Sequence, residues 1–142
     1  MGFPEALPGG KWVGNPVRAQ IEEIASPNQR LGQRDGRPRL LVLGGSRGAL
    51  ALNQLLPRAL ALLPPQERPE VWHQTGAAHC DATRLRYVEL GVETKIEPFI
   101  DDMARAYRWS DFAICRAGAL TVAELTAAGV GAILVPFPYA ID

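Results

Sequence analysis

A doubly wound α/β domain with a parallel sheet is the fold that this 142-residue sequence predicts. Three observations point to it. Five short apolar runs alternate with helical segments, two of those runs pass directly into glycine-bearing turns that open helices, and three of the helical segments are closed by proline or glycine. Such an alternation specifies parallel strands joined by right-handed crossovers.

In chain order, residues 1–36 are rich in Pro, Gly and Arg and weakly periodic. Apart from a short helix over Ala19–Ala25, they read as a connector leading into a domain at 37–142. Arg39–Leu43 is the first strand. Ala49–Leu63 follows as a helix with Leu52, Leu55, Leu56, Ala59, Leu60 and Leu63 on a broad apolar face, stopped by Pro64 and Pro65. Glu70–Gln74 is a second strand ended by Thr75-Gly76, and a helix from Ala77 to Leu90 is closed by Gly91 as a C-cap. Val92–Glu97 is a third strand. Asp101–Trp109 is a short helix whose two aspartates suit its amino terminus. Asp111–Cys115, a helix over Leu120–Ala128 closed by Gly129, and a strand over Ala132–Val135 complete the pattern. The chain stops soon after this strand, so the sequence reads as a domain incomplete at its carboxyl end.

Composition narrows the function. The chain is 47% hydrophobic and 21% charged, which fits one globular domain with a real core. Fifteen basic and fifteen acidic residues cancel, so there is no electrostatic footprint for nucleic acid or an anionic membrane. Cys80 and Cys115 show neither CxxC spacing nor a neighbouring His pair, which argues against a metal site and for a reduced, cytoplasmic setting. Cys115 reads as a core residue and His79-Cys80 as a polar loop. Met1-Gly-Phe-Pro-Glu5 lacks the basic start and apolar segment of a signal peptide. Leu125 to Ile141 carries no formal charge, but its glycines and prolines fit a helix end, a turn and a buried strand better than a membrane span.

The chemistry concentrates at two strand-to-helix junctions. Unpaired N–H groups and the helix dipole make such junctions anion-binding, and ligands of parallel sheets bind at the carboxyl ends of the strands. Two of them on one edge point to a ligand with more than one phosphate, a nucleotide diphosphate. Gly44-Gly-Ser-Arg-Gly48 is either a phosphate cradle, with Ser46 adding a hydroxyl, or a tight turn needing glycine for its backbone alone. It is not a P-loop, since no Gly-Lys-Ser/Thr follows, and no Tyr-x-x-x-Lys pair supports a short-chain dehydrogenase. At the second junction, the spacing of Thr121 and Glu124 favours a capping box. The alternative is a carboxylate placed to accept hydrogen bonds from a ribose diol. Arg18 is either a solvated turn residue or a cation for a diphosphate. His73 reads as a core or rim residue, and neither His73 nor His79 has the neighbours of an acid–base catalyst.

Gly14-Asn-Pro-Val-Arg18, Leu43-Gly-Gly-Ser-Arg-Gly-Ala49, Trp72-His-Gln-Thr-Gly76, Pro98-Phe-Ile-Asp-Asp-Met103, Cys115-Arg-Ala-Gly-Ala-Leu-Thr-Val-Ala-Glu124 and Val135-Pro-Phe-Pro-Tyr139 together resemble the MurG family. These are bacterial transferases that add N-acetylglucosamine to the lipid-linked muramyl-pentapeptide of peptidoglycan synthesis. The resemblance implies a GT-B enzyme with two Rossmann-like domains, of which this chain resembles most of the second, donor-binding one. By motif, UDP-N-acetylglucosamine would be contacted by Arg18, Ser46, Ile100, Ala119, Leu120, Thr121, Val122, Ala123 and Glu124. Gly44, Gly45, Ser46 and Gly48 would form the phosphate loop. Ile100 would meet the uracil through its backbone and Glu124 the ribose hydroxyls, a role that can coexist with capping.

No cofactor and no metal are implied, and no catalytic residue falls in this chain. The acceptor, its general base and the membrane contact would belong to an amino-terminal domain. The whole enzyme would be peripheral on the cytoplasmic face of the inner membrane and serve cell-wall growth, shape and division. An Asp-His-Gln segment that helps read the sugar in that family would begin about where this chain ends. Arg47 stands where members often have glutamine. The resemblance also leaves open a non-catalytic nucleotide-binding subunit of a split glycosyltransferase that needs a partner acceptor chain.

Overall fold

The computed structural model describes residues 8–11, 13–32, 34–44 and 49–136. Its elements are α1 (Ala19–Glu22), α2 (Pro27–Leu31), β1 (Arg39–Leu43), α3 (Leu50–Ala61), β2 (Glu70–Gln74), α4 (Cys80–Glu89), β3 (Lys95–Glu97), α5 (Met103–Trp109), β4 (Phe112–Arg116), α6 (Ala119–Ala128) and β5 (Gly131–Val135). The strands form one sheet in the order β3-β2-β1-β4-β5, and every pairing is parallel. The predicted doubly wound sheet is therefore the observed one. The chain moves outward from β1 to β3 and then returns to β1's other side at β4, so the order reverses between β1 and β4.

Side chains of β1 alternate between two apolar cores, as the period of a strand requires. Leu41 and Leu43 join Trp72, Tyr107, Ala113, Cys115 and Leu125 beneath α1, α5 and α6. Leu40 and Val42 join Val71, Leu56, Leu60, Tyr87 and Ile96 beneath α3 and α4.

Several local expectations are corrected. Leu55, Ala59 and Leu63 are exposed, and the buried face of α3 includes Asn53 and Pro57 instead. β5, expected as a buried strand, lies at the sheet edge with Ile133 and Leu134 exposed. Pro57 has no N–H for the carbonyl of Asn53, and Arg86 Nη1 donates to that oxygen at 3.3 Å. Cys80 is no loop residue: it is buried at the start of α4. β3 is confined to Lys95–Glu97, because the N–H of Val92 is taken by the carbonyl of Tyr87.

Residues before the sheet are more ordered than a bare connector. Ile21 and Ile24 are core residues, and α2 is a helix that the sequence pattern did not announce. Arg30 in α2 donates to the carbonyls of Tyr107 and Ser110 at the end of α5, and of Ala128 and Gly129 at the end of α6. A cation there also meets the negative ends of both helix dipoles. Arg34 adds bonds to the carbonyls of Arg108 and Trp109 and pairs with Asp111 at 2.7 Å.

His73 on β2 is fully buried, with Nδ1 3.0 Å from the hydroxyl of Tyr87 and, among the described residues, no partner for Nε2. Burial pushes its pKa down from 6.5 to about 4. The unfolded chain thus takes up this proton first, and His73's contribution to stability is complete above pH 6.5 and lost as pH falls toward 4. The expected loss is about 1.4 kcal/mol by pH 5.5. Urea unfolding at pH 7.5 and 5.5 measures it. The drop should shrink by that amount in His73→Gln, and an unchanged drop would remove His73 as its source.

Candidate functional site

A cleft of about 470 Å³ opens at the carboxyl ends of β1, β2 and β4, where the strand order reverses. Leu43, Gln74, Cys115 and Arg116 bring the strand ends to it, and Gly118, Leu120, Thr121 and Glu124 bring the first turns of α6. Phe99 and Ile100 enter from the loop after β3, Met103 and Tyr107 from α5, and Arg18 from the segment preceding α1. Parallel sheets bind ligands at such a reversal because the two flanking crossovers leave on opposite faces and part there.

The turn into α6 is built by Gly118, its N-cap residue in extended conformation. The first intrahelical bond runs from the N–H of Val122 to the carbonyl of Gly118 at 2.9 Å. The N–H groups of Ala119, Leu120 and Thr121 precede that bond and point out of the helix end, with the positive end of the dipole. This geometry corrects the capping-box reading. The helix starts at Ala119, so Thr121 lies inside the first turn, and the N-cap residue Gly118 makes no side-chain cap bond.

Glu124 instead faces two other partners. The hydroxyl of Tyr107 donates to its Oε2 at 3.0 Å, and Arg18 Nη2 lies 3.3 Å from its Oε1. The Arg18 side chain is 58% exposed and that of Glu124 14%. Burial, and then the adjacent Glu124 charge, push the Tyr107 phenol well above its ordinary range, so it remains a donor at any working pH. Burial likewise raises the Cys115 thiol, which keeps it an uncharged core residue at the cleft floor.

Gln74 Oε1 accepts the backbone N–H of Ile100 at 3.1 Å. Any backbone contact from Ile100 to a ligand therefore falls to its carbonyl while this bond is in place.

Five of the residues singled out in the sequence, Arg18, Ile100, Leu120, Thr121 and Glu124, thus border one cleft. Ala119, Val122 and Ala123 lie on the same helix without lining it. Gly44 is buried at the end of β1, its N–H bonded to the carbonyl of Gln74. Gly45, Ser46 and Gly48 lie outside the described residues. Sequence reasoning did not single out Gln74, Phe99, Met103, Tyr107 or Arg116. Gln74 and Arg116 were within its reach, since each ends a strand on the ligand edge. Among the described residues, no group of three or more His, Cys, Asp or Glu side chains is placed to hold a metal.

The sheet order, the crossovers and the cleft define a Rossmann-like domain of the GT-B type. The chain belongs to the family described as "Glycosyltransferase family 28 C-terminal domain", whose pattern matches residues 39–142. It is 52% identical over 141 residues to the UDP-N-acetylglucosamine--N-acetylmuramyl-(pentapeptide) pyrophosphoryl-undecaprenol N-acetylglucosamine transferase of Dechloromonas aromatica, covering 99% of this chain and 40% of that protein. The protein of the same description from Cupriavidus necator is 55% identical over 140 residues, with 99% and 39% covered. The crystal structure of Acinetobacter baumannii MurG superposes with a TM-score of 0.80 at 40% identity, over 99% of this chain and 40% of that one. The chain therefore spans about two fifths of the length of these relatives.

Proposed function

We propose that this chain is the donor-binding part of an inverting glycosyltransferase. It holds UDP-N-acetylglucosamine while a lipid-linked N-acetylmuramyl-pentapeptide is glycosylated in peptidoglycan synthesis. One observation carries the reading: Arg18, Ile100, Leu120, Thr121 and Glu124, remote in sequence, border a single cleft at the strand-order reversal. The transferase names of the relatives above supply the sugar and the acceptor.

In this reading Ile100 meets the uracil edge, Glu124 accepts hydrogen bonds from the ribose hydroxyls, and Arg18 faces the diphosphate. Gly44, Gly45, Ser46 and Gly48 form the phosphate loop, and the amino terminus of α6 supplies further N–H groups. The acceptor's C4 hydroxyl attacks the anomeric carbon from the face opposite UDP. A new C–O bond forms, the bond to the diphosphate oxygen breaks, and the hydroxyl proton passes to a base outside this chain. The departing diphosphate carries the growing negative charge. Backbone N–H groups and a helix dipole fixed in advance stabilise it without reorganising, which lowers the barrier.

Residues 1–36 are the link to an acceptor-binding domain, and α1 and α2 lay its last turns onto the donor domain. Among the described residues no helix is long and apolar enough to cross a membrane. Placement on the cytoplasmic face of the membrane, by contacts outside this chain, belongs to the same proposal, as do the roles in cell shape and division.

Calorimetric titration of the 142-residue chain tests the proposal. The cleft residues address the uridine and diphosphate, so UDP should bind at least as tightly as UDP-N-acetylglucosamine. A folded sample that gives no heat with either ligand defeats the donor-site reading.

A further inference from the structure

The Tyr107–Glu124 contact joins two helices whose partnership no local sequence pattern announces. Tyr107 is fully buried on α5, and its hydroxyl donates to Oε2 of Glu124 on α6 at 3.0 Å. Among the described residues, the other oxygen, Oε1, is met by the exposed Arg18 at 3.3 Å. These two contacts differ in kind. An exposed ion pair is weak and open to competition from solvent and ligand. A phenol with no exposed surface keeps its bond to the carboxylate.

We propose that Tyr107 is a positioning residue: it pins Oε2 and thereby sets the plane of the Glu124 carboxylate for the cis-diol of a ribonucleoside diphosphate. A carboxylate offers about four lone-pair sites, so the phenol leaves three. Oε1 exchanges Arg18 for one ribose hydroxyl, and the remaining lone pair of Oε2 is within reach of the other. The inference rests on the donor-nucleotide reading and extends it to a residue that acts through Glu124. Freed of the phenol, the carboxylate can rotate and loses the orientation that rewards two adjacent hydroxyls over none.

The readout is therefore a ratio rather than an affinity. The chain and its Tyr107→Phe variant are titrated with UDP and with 2′,3′-dideoxy-UDP, alongside thermal melts. The parent chain should prefer UDP, and Tyr107→Phe should lose roughly tenfold of that preference, about the worth of one charge-assisted hydrogen bond, with dideoxy-UDP affinity unchanged. Glu124→Gln, made alone and with Tyr107→Phe, should abolish most of the preference, and the second substitution should then add little. Equal weakening of both nucleotides by Tyr107→Phe, or an intact preference, overturns the inference and leaves the donor reading standing. A variant that no longer melts cooperatively also overturns it, because the hydroxyl would then serve the fold. A parent chain that binds neither nucleotide overturns the donor reading as well.

Discussion

Glu124→Ala should lower the affinity of the chain for UDP on the order of a hundredfold, while inorganic pyrophosphate should lose little. In the proposed complex the carboxylate accepts two hydrogen bonds from the ribose. Hydrogen bonds to a charged group are each worth about 1.5–3 kcal/mol, and a total near 3 kcal/mol corresponds to that factor. Pyrophosphate has no ribose and should respond only to the small electrostatic change beside Arg18. Alanine also leaves the buried Tyr107 hydroxyl without the partner it now has at 3.0 Å. Stability should therefore fall by about 1–3 kcal/mol, and urea unfolding must accompany the titrations. Competition of each ligand against labelled UDP gives the two affinities. Equal losses for UDP and pyrophosphate would mean that Glu124 shapes the cleft without reading the sugar.

Gly129→Ala destabilises the chain by about 3 kcal/mol or more, lowering Tm on the order of 10 °C. Gly129 closes α6 in the left-handed region, with φ of 60°. An alanine Cβ there would stand 2.6 Å from Cγ and 3.0 Å from Cδ of Pro27, atoms of a ring that cannot swing aside. Relief requires α2 to move, and Arg30 would then lose its bonds to the carbonyls of Ala128 and Gly129. Gly91 supplies the control: its φ is +61°, yet nothing lies within 4 Å of its added Cβ. Gly91→Ala should thus cost only the backbone term, about 1–2 kcal/mol. If thermal melts place the two variants together, the packing of α2 against α6 contributes nothing.

The two outcomes turn on features of different legibility. β1 and β2 have the boundaries the sequence predicts, because each is a short run entered after a proline and left at a turn. α3 is predicted as a helix, but its buried face is not. Periodicity counts Leu55 and Leu63 as apolar, whereas the fold buries Asn53, whose Nδ2 donates to the carbonyl of Thr75, and Pro57. α2 carries no apolar stripe, since Pro27-Asn-Gln-Arg30 is polar. Arginine bonds to carbonyls 77 to 99 positions away hold it, and no local pattern encodes such reach.

The site shows the same division. Glu124 is conspicuous in the sequence because of its spacing from Thr121, and that spacing misleads: the helix begins before Thr121, so the residues are not reciprocal caps. What Glu124 faces is decided by Tyr107, 17 residues earlier on another helix. Gln74, which engages the N–H of Ile100, is likewise set by the pairing of β2 in the sheet and not by its neighbours in sequence.

Arg30 gives this arrangement a long lever. Its guanidinium grips α5 and α6 at their carboxyl ends, where the carbonyls of Tyr107, Ser110, Ala128 and Gly129 converge. The same two helices carry the phenol and the carboxylate that meet beside the cleft. Clamped at one end by that cation, the two helices hold a fixed gauge at the other, and the meeting of Tyr107 with Glu124 is inherited from a side chain outside the cleft.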